Sequence, residues 1–387
     1  MSKSSDPVTI LQELIRCPSV TPAEAGVLDY MERLMVPAGF TATRMPFSEE
    51  GTADVDNLFL RIGDAGPHFC FAGHVDVVPP GADSLWKHPP FAAEIHDGII
   101  YGRGACDMKG FLACCLAAAP VFQQAELTRP VHLVFSCDEE VTCEGVLPAI
   151  RRFGIDLPKP SICIVGEPTM MEVVTGQKAC QAYVTTFTGV ETHSSVPAAG
   201  FNALFEAARC TAELEKLAAE MREREDKDSG FDPAYTTVHA GVLNAGTTVN
   251  IVPNQATLSW EARLLPGQDE NEIRDRMAAY QAQRNEAIRT GWPQAGIDTD
   301  NYVNVPGLAP EQEGEARALA MRLTGTNRTE NVSYGTEAGH FQAAGMSTVI
   351  CGPGSIEQAH RPDEFIALDQ LDQCDRFMDR LAQTLAA

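Results

Sequence analysis

The sequence predicts an α/β fold with a mixed, largely parallel central sheet, interrupted by a ferredoxin-like α+β domain. Three observations carry this expectation. Apolar, β-branched runs alternate with helical patterns through the first 179 residues. From about residue 180 the texture changes to long amphipathic helices between half-exposed strands. From about residue 303 the first texture returns, so the middle segment reads as an insertion into one domain. The expected divisions are 1–179, 180–302 and 303–387.

Residues 8–16 and 22–36 carry helical periodicity, through Ile10, Leu11, Leu14 and Ile15, then Val27, Met31 and Leu34. Pro18 and Pro37 break it. "HFCFAGHVDVVP" (68–79) reads as a strand opening into a loop, and "GFLACCLAAAPVFQQA" (110–125) as a buried helix. "PVHLVFSCDEE" (130–140) is a strand, "CEGVLPAIRRFG" (143–154) a helix and "SICIVGEPT" (161–169) a further strand. In the insertion, "QAYVTTFTGV" (181–190) alternates as a half-exposed strand, and residues 202–228 form an amphipathic helix. Residues 235–246 and 248–266 are two strands about a glycine turn, 269–288 a charged helix, and 295–302 a last strand. That is the β-α-β-β-α-β order of a ferredoxin-like unit. A helix at 311–324, a strand at 347–355 and a closing helix after Leu368 complete the outer domain.

Composition narrows the function. A chain of 387 residues is too long for one ordinary core, and 44% hydrophobic residues suit packed domains. Net charge is -24, with 53 acidic against 29 basic side chains, which argues against a nucleic-acid or anionic-membrane surface. The N-terminal stretch "MSKSSDPVTILQELIRCPSV" lacks a signal peptide's apolar run, and "GFLACCLAAAPVF" is too short and Ala-rich for a membrane span. Twelve cysteines without a C-x-x-C pair or a compact framework read as reduced thiols of a cytoplasmic chain, with no thiolate zinc site.

The strand at 131–135 delivers Asp138, Glu139 and Glu140 in a row, and adjacent carboxylates resist desolvation unless something positive is near. Other strand ends carry the same chemistry. His74 and Asp76 follow "HFCFAG", Glu167 follows "ICIVG", and His360 lies a short loop beyond "TVICGPG". Asp107, among Gly102, Gly104 and Gly110, sits just before the Ala-rich helix. In such a sheet, sites form beyond the carboxyl ends of strands. A set of only His, Asp and Glu suits one or two borderline-hard divalent metals, such as zinc, cobalt or manganese. Neighbours in a strand point to opposite sides, so Glu139 and Glu140 are expected to divide the work. One would ligate, and the other would act as general base toward a water activated by metals that Asp107 bridges. This is hydrolytic chemistry.

Five ordered segments, "GHVDVVP" (73–79), "YGRGACDMKG" (101–110), "DEE" (138–140), "GEPT" (166–169) and "GPGSIEQAHRPDE" (352–364), together resemble the co-catalytic zinc amidohydrolases and peptidases. The resemblance implies a zinc-peptidase-like catalytic domain interrupted by a lid that also dimerises. It implies that His74 and Glu167 hold one zinc or cobalt ion and Glu140 and His360 the other, with Asp107 bridging. Glu139 would be the general base and Asp76 would orient His74, and the Asp107–Met108 peptide would be cis. In the lid, "GVETHSSVPAAGFNAL" implies that His193 stabilises the oxyanion in a partner subunit's site. Asn250 would support substrate or oxyanion, and Arg263, Gly335 and Thr336 would grip the substrate carboxylate. "GTEAGHFQAAG" with "GPGSIEQAH" is most similar to the acetylornithine deacetylases, with Thr142 where a glycine is common. The expected reaction is therefore hydrolysis of N2-acetyl-L-ornithine to L-ornithine and acetate in arginine biosynthesis, by a homodimer. The alternatives are succinyl-diaminopimelate or another N-acyl amino acid as substrate, a metallo-dipeptidase or carboxypeptidase, and an inactive metal-holding binding protein.

Overall fold

A computed structural model describes residues 6–47, 55–64 and 67–386, so the first five residues of the N-terminal stretch lie outside it. In chain order, α1 (Pro7–Arg16) and α2 (Val27–Met35) lead to β1 (Thr41–Phe47), β2 (Val55–Ile62) and β3 (His68–His74). A short hairpin of β4 (Glu94–His96) and β5 (Ile99–Tyr101) precedes α3 (Gly110–Ala117) and α4 (Ala119–Gln124). Then come β6 (Val131–Ser136), α5 (Leu147–Arg152), β7 (Pro160–Val165) and β8 (Val174–Gln177). Next are β9 (Ala179–Thr188), α6 (Ala203–Glu223), β10 (Thr237–Ala245), β11 (Gln255–Leu264), α7 (Glu272–Gly291) and β12 (Gly296–Val305). The chain closes with α8 (Glu315–Thr324), β13 (Glu330–Val332), α9 (Ala338–Ala343), β14 (Ser347–Ile350), β15 (Phe365–Ala367) and α10 (Leu368–Leu385).

Two compact units result. Met1–Gly176, Leu308–Glu330 and Thr336–Ala387 form the first, and Gln177–Gly307 with Asn331–Gly335 the second.

The first unit is built on an eight-stranded sheet of order β1-β2-β6-β3-β7-β14-β8-β13. It is mixed: β6, β3, β7 and β14 run parallel at its centre, while β1, β2 and β8 pair antiparallel toward its edges. β6 is buried at every position and β3 at all but His68, the pattern of strands covered on both faces. Helices supply that cover. α3 is buried all round, α1 buries Ile10, Leu11, Leu14 and Ile15, and α10 buries Leu371, Cys374, Phe377, Met378 and Leu381 at helical spacing. The Asp6 carboxylate caps α1 by accepting from the amides of Val8 and Thr9.

Helices end where backbone chemistry requires it. The segment 110–125, expected as one helix, breaks at Ala118, next to Pro120, whose ring and missing N–H suit only the first turn of α4. The stretch Ala105–Gln124 is long and apolar enough to cross a membrane, yet 89% of its most apolar window is buried inside the unit. α2 starts at Val27 rather than 22 because Ala25 and Gly26 are left-handed, at φ 50° and 76°. α5 is confined to Leu147–Arg152, after a turn in which Cys143 also has positive φ.

The second unit has an antiparallel sheet of order β10-β11-β9-β12. β11 alternates strictly between buried and less buried positions, and Tyr183 of β9 stacks on Trp260 of β11 at 4.0 Å. Leu214 and Leu217 of α6 and Ile273 and Ile288 of α7 join this core. The strand expected from 248 begins only at Gln255, because the preceding segment bonds elsewhere. The carbonyl of Asn250 accepts from the Ser194 amide, and the Val252 amide donates to Thr192.

Candidate metal centre

The carboxyl ends of β3, β6 and β7 lie side by side because these strands are parallel neighbours. β3 ends on His74, β6 runs out just before Asp138–Glu140, and β7 just before Glu167. Gly166 is required at the last exit, since a Cβ there would fall 2.0 Å from the ring of Phe111. Asp107 arrives on the loop before α3, where Gly104 (φ +81°) leaves no room for a Cβ beside Val77. The Asp107–Met108 peptide is cis.

Two trios of donors result, and they share a residue. His74, Asp107 and Glu167 form one, and Asp107, Glu140 and His360 the other, with ligand atoms within 4.8 Å of one another in each. Asp107 turns Oδ1 to His74 Nε2 and Oδ2 to His360 Nε2, both at 3.2 Å. Glu167 Oε1 lies 3.6 Å from His74 Nε2, and Glu140 Oε2 lies 2.9 Å from His360 Nε2. Glu140 Oε1 is buried without a hydrogen-bond partner. A carboxylate oxygen left bare in a buried site leaves a donor role for a cation.

The imidazole of His74 is almost wholly buried, and its Nδ1 is 2.9 Å from the carbonyl of Asp76, which leaves Nε2 turned to the trio. The Asp76 carboxylate is 3.6 Å from the same Nδ1, and it also accepts from the backbone amides of Glu139 (3.3 Å) and Glu140 (3.2 Å). Asp76 thus holds both His74 and the turn that carries the glutamates. That turn corrects the strand argument made above: β6 has already ended, and Asp138 is left-handed at φ 61°. The two carboxylates still diverge, Glu139 Oε2 to 3.8 Å from His74 and Glu140 toward His360.

Charge is strongly perturbed throughout. Burial pushes the Glu139 carboxyl up to about 8, with Glu140 and Glu337 adding to the push against the attraction of His74. Burial and neighbouring carboxylates also raise Glu140 and Glu167. Burial would raise Asp107 too, but hydrogen bonds from His360 and His74 hold it well below the usual range. Hydrogen bonds to Asp107 and Glu140 push His360 up to about 10. Carboxyls that resist ionising beside imidazoles that hold protons mark an excess of negative charge. A divalent cation between them relieves both. The donors present therefore fit such ions.

Sequence reasoning missed the anchor of the Asp107 loop. The buried Glu364 carboxylate accepts from Arg103 Nη1 (2.6 Å) and from the amides of Gly104 (3.0 Å), Cys106 (2.9 Å) and Asp107 (3.1 Å). Its one available signal was its place at the end of the "GPGSIEQAHRPDE" segment. Lys109, fully buried, donates to the carbonyls of Leu14 and Cys17. Glu337, also buried, is pushed up to about 7 by burial despite a hydrogen bond with Ser136. Cys143 places its thiol 3.2 Å from Glu139 Oε1.

The remaining expected residues lie apart in the chain. His193, Asn250, Arg263 and Gly335 belong to the second unit, and Thr336 to the first. His193 is exposed, with Nδ1 2.7 Å from the Ser195 hydroxyl, and it bridges backbone to backbone with Ile251, next to Asn250. Asn250 accepts from the Thr248 hydroxyl through Oδ1. Arg263 pairs with Glu261 at 3.1 Å, and a Cβ on Gly335 would lie 3.9 Å from its Nη1. The Thr336 hydroxyl oxygen accepts from the Ala338 amide at the start of α9.

Known proteins agree with this architecture. The chain matches Peptidase family M20/M25/M40 over residues 70–384. It is 34% identical over 387 residues to a succinyl-diaminopimelate desuccinylase of Rhodopseudomonas palustris (strain TIE-1), with 96% of each chain covered. Among solved structures it resembles the M20 family metallo-carboxypeptidase Sso-CP2 from Sulfolobus solfataricus (TM-score 0.75, 19% identity, 99% of both chains). It also resembles the Bacillus subtilis YXEP protein, a dinuclear metal-binding peptidase (TM-score 0.63, 17% identity, 98% of this chain and 97% of that one). The chain belongs to the M20/M25/M40 peptidase family, metal-dependent hydrolases of amide bonds. Acetylornithine as substrate finds no support among these relatives, which favour the succinyl-diaminopimelate alternative.

Proposed function

We propose that this chain hydrolyses the amide of an N-acyl amino acid, with N-succinyl-diaminopimelate as first substrate. The observation that carries the reaction type is the pair of donor trios joined through the two oxygens of Asp107. Similarity to a desuccinylase over 96% of both chains supports the substrate. His74 and Glu167 would hold one divalent cation, Glu140 and His360 a second, and Asp107 both. Such ions supply Lewis acidity at the amide carbonyl and lower the pKa of the attacking water.

The protein's own groups do the rest. Glu139, its side chain 10% exposed and 3.8 Å from His74 Nε2, takes the water's proton and returns it to the departing amine. Asp76 fixes the tautomer of His74 and the position of the Glu139 backbone. The planar guanidinium of Arg263, the backbone amide of Gly335 and the Thr336 hydroxyl each suit a substrate carboxylate. His193 stabilises the oxyanion across a homodimer, and Asn250 supports substrate or oxyanion.

A second reading, acetylornithine deacetylation, rests on the similarity of "GTEAGHFQAAG" to that group of enzymes. A substrate panel with zinc or cobalt added separates the two: succinyl-diaminopimelate, acetylornithine, neutral N-acetyl amino acids and a dipeptide. Chelator-sensitive release of succinate supports the first reading, and preferential release of ornithine replaces it with the second. No turnover in a protein shown to hold metal would sink both. In the same assay Glu139→Gln keeps its metal and loses roughly 10²- to 10⁴-fold in turnover, the usual weight of a general base.

A further inference from the structure

A further group of metal-competent side chains gathers away from this edge. It consists of His88, Glu94 and His96, none of which takes part in the two trios. We propose that these three residues form a separate binding site for a single borderline divalent cation of the zinc, nickel or copper(II) class.

The geometry is that of a chelate. His88 Nδ1 lies 2.7 Å and His96 Nε2 3.3 Å from one and the same oxygen, Glu94 Oε2. All three donor atoms fall within 4.8 Å of one another. Glu94 and His96 are alternate residues of β4, so the strand's period of two sets them on one face. His88 comes to them from the preceding loop, and its ring stands 4.8 Å from that of His96.

The arrangement is held in place by groups outside it. The His88 ring lies flat on Tyr101 of β5, with centroids 4.1 Å apart and planes 22° apart. Tyr101 is itself the cross-strand partner of Glu94. The amides of Lys87 and His88 both donate to Asp363 Oδ1, at 2.7 and 3.1 Å. These contacts fix the position of the His88 ring and its backbone. His88 and Glu94 are half-buried and His96 is exposed, so an ion here keeps open positions for water.

Two imidazoles with one carboxylate select among cations. Magnesium and calcium prefer oxygen donors, whereas zinc, nickel and copper accept this set readily. The competing account is an ordinary surface ion pair between Glu94 and protonated histidines, which contributes little to stability. The accounts diverge in metal content: a chelate retains a cation through gel filtration, and an ion pair does not.

The test counts metal. The full-length chain, with His96→Ala and Glu94→Gln beside it, is dialysed at pH 7.5 against a slight excess of zinc, gel-filtered and analysed for bound zinc. The wild-type chain should hold one equivalent more than either variant, and the variants should keep their circular dichroism and their turnover. Substoichiometric copper(II) should broaden the ring resonances of His88 and His96 in the wild type and leave that of His88 sharp in His96→Ala. Equal zinc contents in all three proteins would leave an ion pair only and overturn the site. So would copper that leaves His88 and His96 sharp while it broadens histidines outside both this site and the candidate metal centre. Should one variant fold poorly, the other carries the comparison, and the resonance test in the wild type stands without either.

Discussion

His360 Nε2 lies 2.9 Å from Glu140 Oε2, although 220 residues separate the two in the chain. The contact closes the candidate centre from the far end of the sequence. His360 sits on a loop at φ 60°, a conformation that side chains disfavour, and meets Glu140 only because the turn after β6 is tied to Asp76. The imidazole occupies the space between Glu140 and Asp107 as a cation would, bonded to both carboxylates.

Asp107 is the residue both trios share, so its loss should differ in kind from that of the others. Asp107→Asn keeps the shape but removes the charge between the histidines, and both ions should be lost together. Glu167→Gln should weaken only the ion beside His74. Removing groups around ligands typically costs about 10–100-fold in metal affinity. The Asp107→Asn loss should exceed that and abolish turnover, which returns to the wild-type chain when zinc is restored after chelation. Metal analysis with calorimetry checks this; one ion retained at full affinity in Asp107→Asn would refute the shared role.

Glu364 should matter through the loop it anchors. Its carboxylate and the Arg103 guanidinium are both almost wholly buried, and it also accepts three backbone amides of the loop. Removing one partner of a buried ion pair leaves the other uncompensated, at a cost of about 3–5 kcal/mol. Glu364→Ala should therefore lower unfolding stability by about that amount and weaken metal binding as Asp107 is set loose. Denaturant unfolding of the metal-free chain isolates the first effect. A change below about 1 kcal/mol would show that Arg103 finds solvent or another acceptor.

The same residues show which features could be read from the sequence. β3, β6 and β7 were legible because doubly covered parallel strands leave continuous apolar runs, and His74, Glu140 and Glu167 stand out as polar groups just beyond them. The edge strand β1 and its neighbour β2 were not legible. β1 has only one buried residue, Met45, and it carries Arg44 and Pro46, so neither alternation nor propensity marks it. The divergence of Glu139 and Glu140 was expected from strand geometry but arises in a turn, held by Asp76 from a different strand end. Glu364 and Lys109 act on backbone groups far away in sequence, and no local pattern encodes such a partner.

His132, on the buried strand β6, gives the fold a predictable weakness toward acid. It has no exposed surface, and its Nε2 is 3.0 Å from His68 Nδ1. Its own Nδ1 has no partner. Burial, then the neighbouring His68 and Arg61, pushes its pKa down to about 3. In the unfolded chain it titrates near 6.5. Above that value neither state binds the proton and stability is unaffected. As pH falls below it, the unfolded chain takes up a proton that the folded chain refuses until about 3. Stability therefore drops through this window by up to about 1.4 kcal/mol per pH unit from this group alone. His132→Phe removes the titration while keeping a ring beside Phe59, whose edge contact with His132 is 5.0 Å between centroids. Urea unfolding of both proteins between pH 4 and 6, with chelator present, should show a shallower acid limb in the variant. Only the slope is compared, so any packing cost of the substitution drops out. Parallel limbs would mean that the folded chain accommodates the charged imidazole, and that β6 opens to water before it unfolds.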